Sequence, residues 1–89
     1  MNLADRARQF LARRQFAYKK TFGGPPGQEV LRDLAKFCRA QTSTFHADPR
    51  AHAMLEGRRE VWLRIMDHLH LTDTQLFDLM NGKDIDVPR

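Results

Sequence analysis

Between Phe22 and Gln28 the chain reads Gly-Gly-Pro-Pro-Gly, and no regular element can run through those five residues. A proline has no backbone N–H and its ring collides with the preceding turn, yet its fixed φ suits the first turn of a new helix; the glycines allow backbone angles that other residues avoid. Asp48-Pro49 and Asn81-Gly82 punctuate the chain again further on. In the stretches between, apolar residues recur at intervals of three and four, never in strict alternation, so each stretch reads as a helix and none as a strand. The fold class is all-α: a small bundle of about four helices, near residues 3–21, 26–40, 49–70 and 73–81, followed by an extended or mobile C-terminal tail, Lys-Asp-Ile-Asp-Val-Pro-Arg.

The first helix takes Asn2 as its N-cap. Leu3, Ala4, Ala7, Phe10, Leu11, Ala17 and Tyr18 fall within an arc of roughly 140°, with Arg6, Arg13 and Lys20 spaced every seven residues along one edge. Arg8 and Lys19 flank the other edge, and Arg14 rises from the apolar arc itself, where its stem can pack while the head reaches out. In the second helix Val30, Leu31, Leu34, Phe37 and Cys38 form a buried face. The polar segment from Gln41 to Ala47 reads as a loop that drops Phe45 into the core as an anchor. Asp48 and Pro49 supply N-cap and first position for the third and longest helix, whose apolar face is Met54, Val61, Trp62, Ile65, Met66 and Leu69. Thr72 and Gln75 make a capping box for the fourth, with Leu76, Phe77, Leu79 and Met80 turned inward and Asn81-Gly82 as a left-handed stop.

Eighty-nine residues, 42% of them hydrophobic, make one domain, 1–89, with a single core and marginal stability of its own, so assembly with copies of itself or with a larger partner would help it. Its lone cysteine, Cys38, has no partner for an internal disulfide and reads as a small buried apolar residue in an intracellular setting. No signal peptide and no membrane-length apolar run is visible. Charge is unevenly spread. Residues 1–20 hold six basic side chains against Asp5 alone, a net +5, while from Leu71 onward Lys83 and Arg89 face Asp73, Asp78, Asp84 and Asp86, a net −2. A basic head and an acidic tail can bind each other, neighbouring copies, or an anion such as nucleic acid.

Chemistry finds little support. His68 and His70 lie on opposite sides of a helix, His46 and His52 straddle a helix start, and the zinc spacings are absent, so neither a metal site nor any other cofactor is expected. The Gly-rich turn lacks the lysine and hydroxyl of a phosphate loop, no oxyanion-forming elbow follows Cys38, and Glu56 with Glu60 reads as a surface charge ladder beside arginines. The chain is not expected to be an enzyme.

The segment Glu56-Gly57-Arg58-Arg59-Glu60 raises a sharper question. A glycine inside a helix costs about 1 kcal/mol relative to alanine, which points to Gly57 as a close-packing position for the first or second helix. Arg58 lies at the apolar arc and needs an acceptor, either Asp33, Glu29 or the free carbonyls of a helix end. Alternatively Arg58 and Arg59 contact an anion, a phosphate or a partner's carboxylate. The basic edge formed by Arg6, Arg13 and Lys20, with Arg14, has the sign and regularity for contact with a DNA backbone, but it lacks the interleaved aromatics of a single-strand binder and any helix-turn-helix signature.

Four stretches, Ala-Tyr-Lys-Lys-Thr-Phe, Gly-Gly-Pro-Pro-Gly-Gln-Glu-Val-Leu-Arg-Asp-Leu-Ala-Lys-Phe-Cys, Thr-Ser-Thr-Phe-His-Ala-Asp-Pro and Leu-Glu-Gly-Arg-Arg-Glu-Val-Trp-Leu-Arg-Ile, span roughly residues 18–71. In order and spacing they resemble a family of small tailed-bacteriophage proteins first catalogued from a Bordetella phage. The resemblance implies a compact helical protein, usually encoded among head, portal and packaging genes, with no catalytic residues to carry over. The expectation that follows is a non-enzymatic protein of virion assembly, or a minor structural component near the portal and packaged genome, that binds a larger phage protein (portal or head) or copies of itself. It would reside in the bacterial host cytoplasm during infection and in the virion if it is a component. Two alternatives stay open: a basic nucleic-acid-binding accessory of packaging or gene control, and a small inhibitor of a host enzyme or defence complex.

Overall fold

A computed structural model describes residues 2–87, and among these the order is α1 (Leu3–Phe22), α2 (Pro25–Phe37), α3 (Pro49–Leu69) and α4 (Asp73–Met80), with no strand. The N-caps form as the sequence dictates. Asn2 accepts from the Asp5 N–H, Asp48 from Arg50, and Thr72 and Gln75 close a reciprocal capping box. Gly24 opens α2 with Pro25 at its first position. The α1–α2 turn is tight enough that a Cβ on Gly27 would collide with the Thr21 carbonyl and sit 2.7 Å from Phe22 Cα. The close approach therefore belongs to Gly27, not to Gly57.

Leu31, Ala35 and Cys38 of α2, Trp62, Ile65 and Leu69 of α3, Leu79 of α4 and Val87 of the tail make the buried core. Tyr18 and Phe22 are the large side chains of α1 that pack against it. No residue of α1 is itself buried, although it is twenty residues long. The radius of gyration, 15.3 Å, exceeds the about 12 Å of a compact chain of this length, and the longest dimension is 51 Å against a shortest of 20 Å.

Three expectations need correction. α2 stops at Phe37 rather than near residue 40, because Arg39 takes a left-handed φ of 54° and the Ala40 N–H turns back to Ala35 O. Phe45 does not anchor the loop: it is 75% exposed, and its neighbour Thr44 is the buried residue, donating its hydroxyl to Glu56. The Asn81-Gly82 stop, by contrast, forms as expected: Gly82 takes the left-handed position, at φ 84°, and the Lys83 N–H turns back to Asp78 O. The apolar faces also turn out narrower than their spacing suggested: Leu55, Trp62, Ile65 and Leu69 of α3 face in while Met54 and Val61 are half-exposed, and Val30 and Phe37 of α2 and Phe77 of α4, expected to face inward, are likewise open.

The tail is non-helical as anticipated, but it is tied down. Gln28, buried in α2, donates to Gly23 O (2.8 Å) and Ile85 O (2.7 Å) and accepts from the Ile85 N–H (2.7 Å). Arg32 donates from Nε to Leu79 O and from its NH2 group to Lys83 O, satisfying carbonyls at and beyond the end of α4, and lies 3.5 Å from Asp84. Gln75 Nε2 donates to Asp86 O. Three side chains thus hold an irregular segment by its backbone, and Val87 closes the core against it. Pro88 and Arg89, also assigned to the tail by sequence, lie outside the described residues.

Candidate interaction surfaces

The two arginines of the Glu-Gly-Arg-Arg-Glu segment take different tasks. Arg59 reaches across to the end of α2, donating to Arg39 O at 2.9 Å and Thr42 O at 3.4 Å. It ties down carbonyls of the turn and loop that follow α2. Arg58 pairs with neither Asp33 nor Glu29 and donates to no helix-end carbonyl among the described residues. Its guanidinium lies over the Phe37 ring, 4.2 Å from the centroid, and beside Met54 Sδ at 3.7 Å. The carbonyl-binding role anticipated for Arg58 therefore falls to Arg59. One residue rotates the side chain by about 100° around the helix, enough to move it from the exposed flank to the α2 end.

Gly57 is exposed, and a Cβ built on it meets nothing within 4 Å. Within one chain it is not a packing position, because at 100° per residue it lies roughly 140° round the helix from Trp62. Its surroundings are not polar, however. Met54 and Val61, one turn before and after it on the same face, are half-exposed, and Phe37 and Val30 of α2 are too. The result is a surface on α2 and α3 made of large apolar side chains with one arginine, Arg58, stacked among them and a bare stretch of helix backbone at Gly57. Such a surface accepts an apolar or aromatic contact from another molecule and a carboxylate at its cationic point.

The basic edge of α1 is a second surface. Arg6, Arg13 and Lys20 are exposed and, among the described residues, none has a carboxylate partner. Lys20 stands 6.0 Å above the Phe16 ring, and Arg14 covers Phe10 at 4.5 Å, as expected of a side chain rising from the apolar arc. Arg8 pairs with Asp5 within the same helix. The histidines are dispersed: His68 stacks on Tyr18 with centroids 4.1 Å apart, His52 Nδ1 lies 3.0 Å from Thr44 O, and His46 Nδ1 accepts from the Asp48 N–H. Cys38 is buried in the core.

Two structural residues escaped the sequence reading, Gln28 and Arg32. Gln28 had a usable signal, a polar side chain one turn before Leu31 and in line with Ala35; Arg32 had none, because its acceptors are backbone carbonyls nearly fifty residues away.

Among known proteins, the family model of Bbp19-like phage proteins matches residues 18–81, which carries the similarity read from residues 18–71 onward through α4. No curated protein and no solved structure matches. The matched region contains α2, α3, α4 and Gly57 to Arg59, and it begins at Tyr18, where α1 first stacks on α3. No described helix is long and apolar enough to cross a membrane.

Proposed function

This chain belongs to the family of Bbp19-like phage proteins, and from that premise we propose that it acts without catalysis in virion assembly, as a small component that binds a larger head or portal protein or copies of itself. The observation that carries this reading is the α2–α3 surface. Phe37, Met54 and Val61 stay half-exposed around Arg58 in a chain too small to waste apolar area, and the helix backbone lies bare at Gly57. A partner helix or loop seated there would bury those side chains and would find room at Gly57 for close approach. The setting among head, portal and packaging genes, which the family resemblance implies, points the same way.

The test is quantitative mass spectrometry of purified particles of the encoding phage. A fixed number of copies per particle is the expected result. Absence from particles, with abundance in infected cells, would overturn the reading and favour a host-directed role.

A second reading rests on Arg6, Arg13 and Lys20, whose exposure without acidic partners suits contact with the packaged genome or another DNA backbone. It predicts duplex binding by the purified protein at low salt, weakening steeply as salt rises, and lost in the triple variant R6Q/R13Q/K20Q.

A further inference from the structure

The two ends of this chain carry opposite charge, and the fold keeps them from meeting. Every hydrogen bond, ion pair or ring contact made by residues 3–10 stays within α1 and its Asn2 cap. Leu3 is 81% exposed and Phe10 57%, with Ala4, Ala7 and Leu11 also open on the same arc. That arc runs the full length of α1, but α3, which covers its later half through Tyr18 and Leu69, ends at Leu69. From about Leu11, which still borders Asp67, His68 and His70, toward its N-terminus α1 is an uncovered amphipathic arm bearing Arg6 and Arg8, with Arg13 exposed at its root. An isolated helix of three turns is marginal in water, so such an arm is stabilised by whatever covers it.

At the other end, Asp73, Asp84 and Asp86 are exposed and Asp78 half-buried, with Lys83 the basic residue among the described positions after Leu71. Asp84 alone of the four has an ion-pair partner, Arg32. Phe77, one turn after Asp73 on α4, is 67% exposed. Within one chain the arm cannot reach this surface. No Cα of α1 lies within 8 Å of one in α4, and the described tail lies against the C-terminal end of α1, where Gln28 joins Gly23 O to Ile85 and Val87 shares the core with Tyr18 and Phe22. Gly23 is about 30 Å along the helix from Leu3.

We propose that the N-terminal arm of α1 docks on the α4–tail end of a second copy of this chain, so that copies join head to tail. Charge complementarity selects this occupant. An arm against a second arm would set Arg6 and Arg13 opposite like charges, Arg8 being paired with Asp5, whereas the α4–tail end of a neighbour offers Asp73, Asp78 and Asp86, which have no ion-pair partner among the described residues, and an open aromatic ring, Phe77, on α4. A contact between unlike surfaces is heterologous, and it repeats into a ring where the rotation closes and into a filament where it does not. A three-turn helix face covers less than the roughly 800 Å² per partner of a standard interface. A single junction is therefore weak, and a closed ring, in which each copy makes two, is favoured over the open dimer. The arm and the tail lie outside the family-matched residues, whereas Asp73, Phe77 and Asp78 of α4 lie inside them. The proposal deepens the reading of an assembly protein by naming this chain as a partner, and rests on that reading for its use in the particle.

The experiment is sedimentation velocity and native mass spectrometry of the full chain across a salt series, with circular dichroism to confirm that variants stay helical. Dimers and larger species are expected at low salt, declining as salt rises. R6Q/R13Q and D73N/D78N should each weaken association about tenfold. Mixing those two variants should yield one-to-one heterodimers and nothing larger, because only one intact arm and one intact acidic end remain to pair. A chain that stays monomeric at low salt, a mixture that yields no heterodimer, or association lost in V61S and untouched in F10S would overturn the proposal. A monomer found at fixed copy number in particles would sink this inference alone; head-to-tail association of a protein absent from particles would sink the assembly reading alone.

Discussion

The two ends of this protein invert the usual relation between regular structure and burial. Residues 83–87 form no helix or strand, yet Val87 sits in the core and the backbone of the segment is held by Gln28, Arg32 and Gln75. α1 is a well-capped helix of twenty residues, yet it buries no side chain completely, and its first three turns touch little but themselves. The difference lies in where hydrogen bonds are satisfied. A helix meets its backbone needs internally and can project from the body, whereas an irregular segment becomes stable only by borrowing donors and acceptors from elements that are already fixed. The tail is consequently part of the folded unit, and the arm is available to other molecules.

The strongest attack on this contrast removes the clamp. Gln28→Leu deprives the Ile85 N–H of its acceptor and the Gly23 and Ile85 carbonyls of their donor, at an expected cost of about 3 kcal/mol in urea unfolding, with amide exchange of the tail rising in step. A cost near zero would mean that Arg32, Gln75 and Val87 hold the tail without Gln28. Next in size is a pair of glycine substitutions with opposite signs. Gly27→Ala forces its Cβ into the Thr21 carbonyl and should lose about 2 kcal/mol. Gly57→Ala, with open space around it, should raise the stability of the isolated protein by about 1 kcal/mol, the helix propensity difference, while weakening any partner that approaches the bare backbone there. The smallest effect is expected on the arm: Phe10→Ser should change the unfolding free energy at low protein concentration by less than about 0.5 kcal/mol. A larger loss in that measurement would show that the arm folds against its own bundle.

The elements were legible because they are local. Asn2, Asp48 with Pro49, and the Thr72–Gln75 box set three helix starts by bonds that span only a few residues, and Gly-Gly-Pro-Pro-Gly forbids continuity between α1 and α2 whatever surrounds it. Periodicity also marked Trp62, Ile65, Leu69 and Leu79 as core. It placed Met54 and Val61 there too, since an apolar residue at the edge of an arc packs inside or lies open according to where the neighbouring helix crosses, and nothing local specifies that. Phe45 failed for a related reason: a loop of seven residues can turn either Thr44 or Phe45 inward, and the choice fell to the hydroxyl that finds Glu56.

For the candidate surfaces the division is the same. Residue chemistry alone identified Arg6, Arg13 and Lys20 as a basic edge and singled out Gly57, Arg58 and Arg59 as unusual for a helix interior. Only the tertiary structure decided that Arg59 serves the end of α2, that Arg58 rests on Phe37, and that Gly57 faces outward. The sequence by itself determined the helices, their caps and breaks, and the opposed charge of the two ends, because these depend on residues within a turn or two of each other. The tertiary structure decided which arginine reaches which carbonyl, which edge of each arc is covered, and that the acidic tail docks at α2, Gly23 and α4 while the basic arm stays open, because those outcomes depend on how the helices cross.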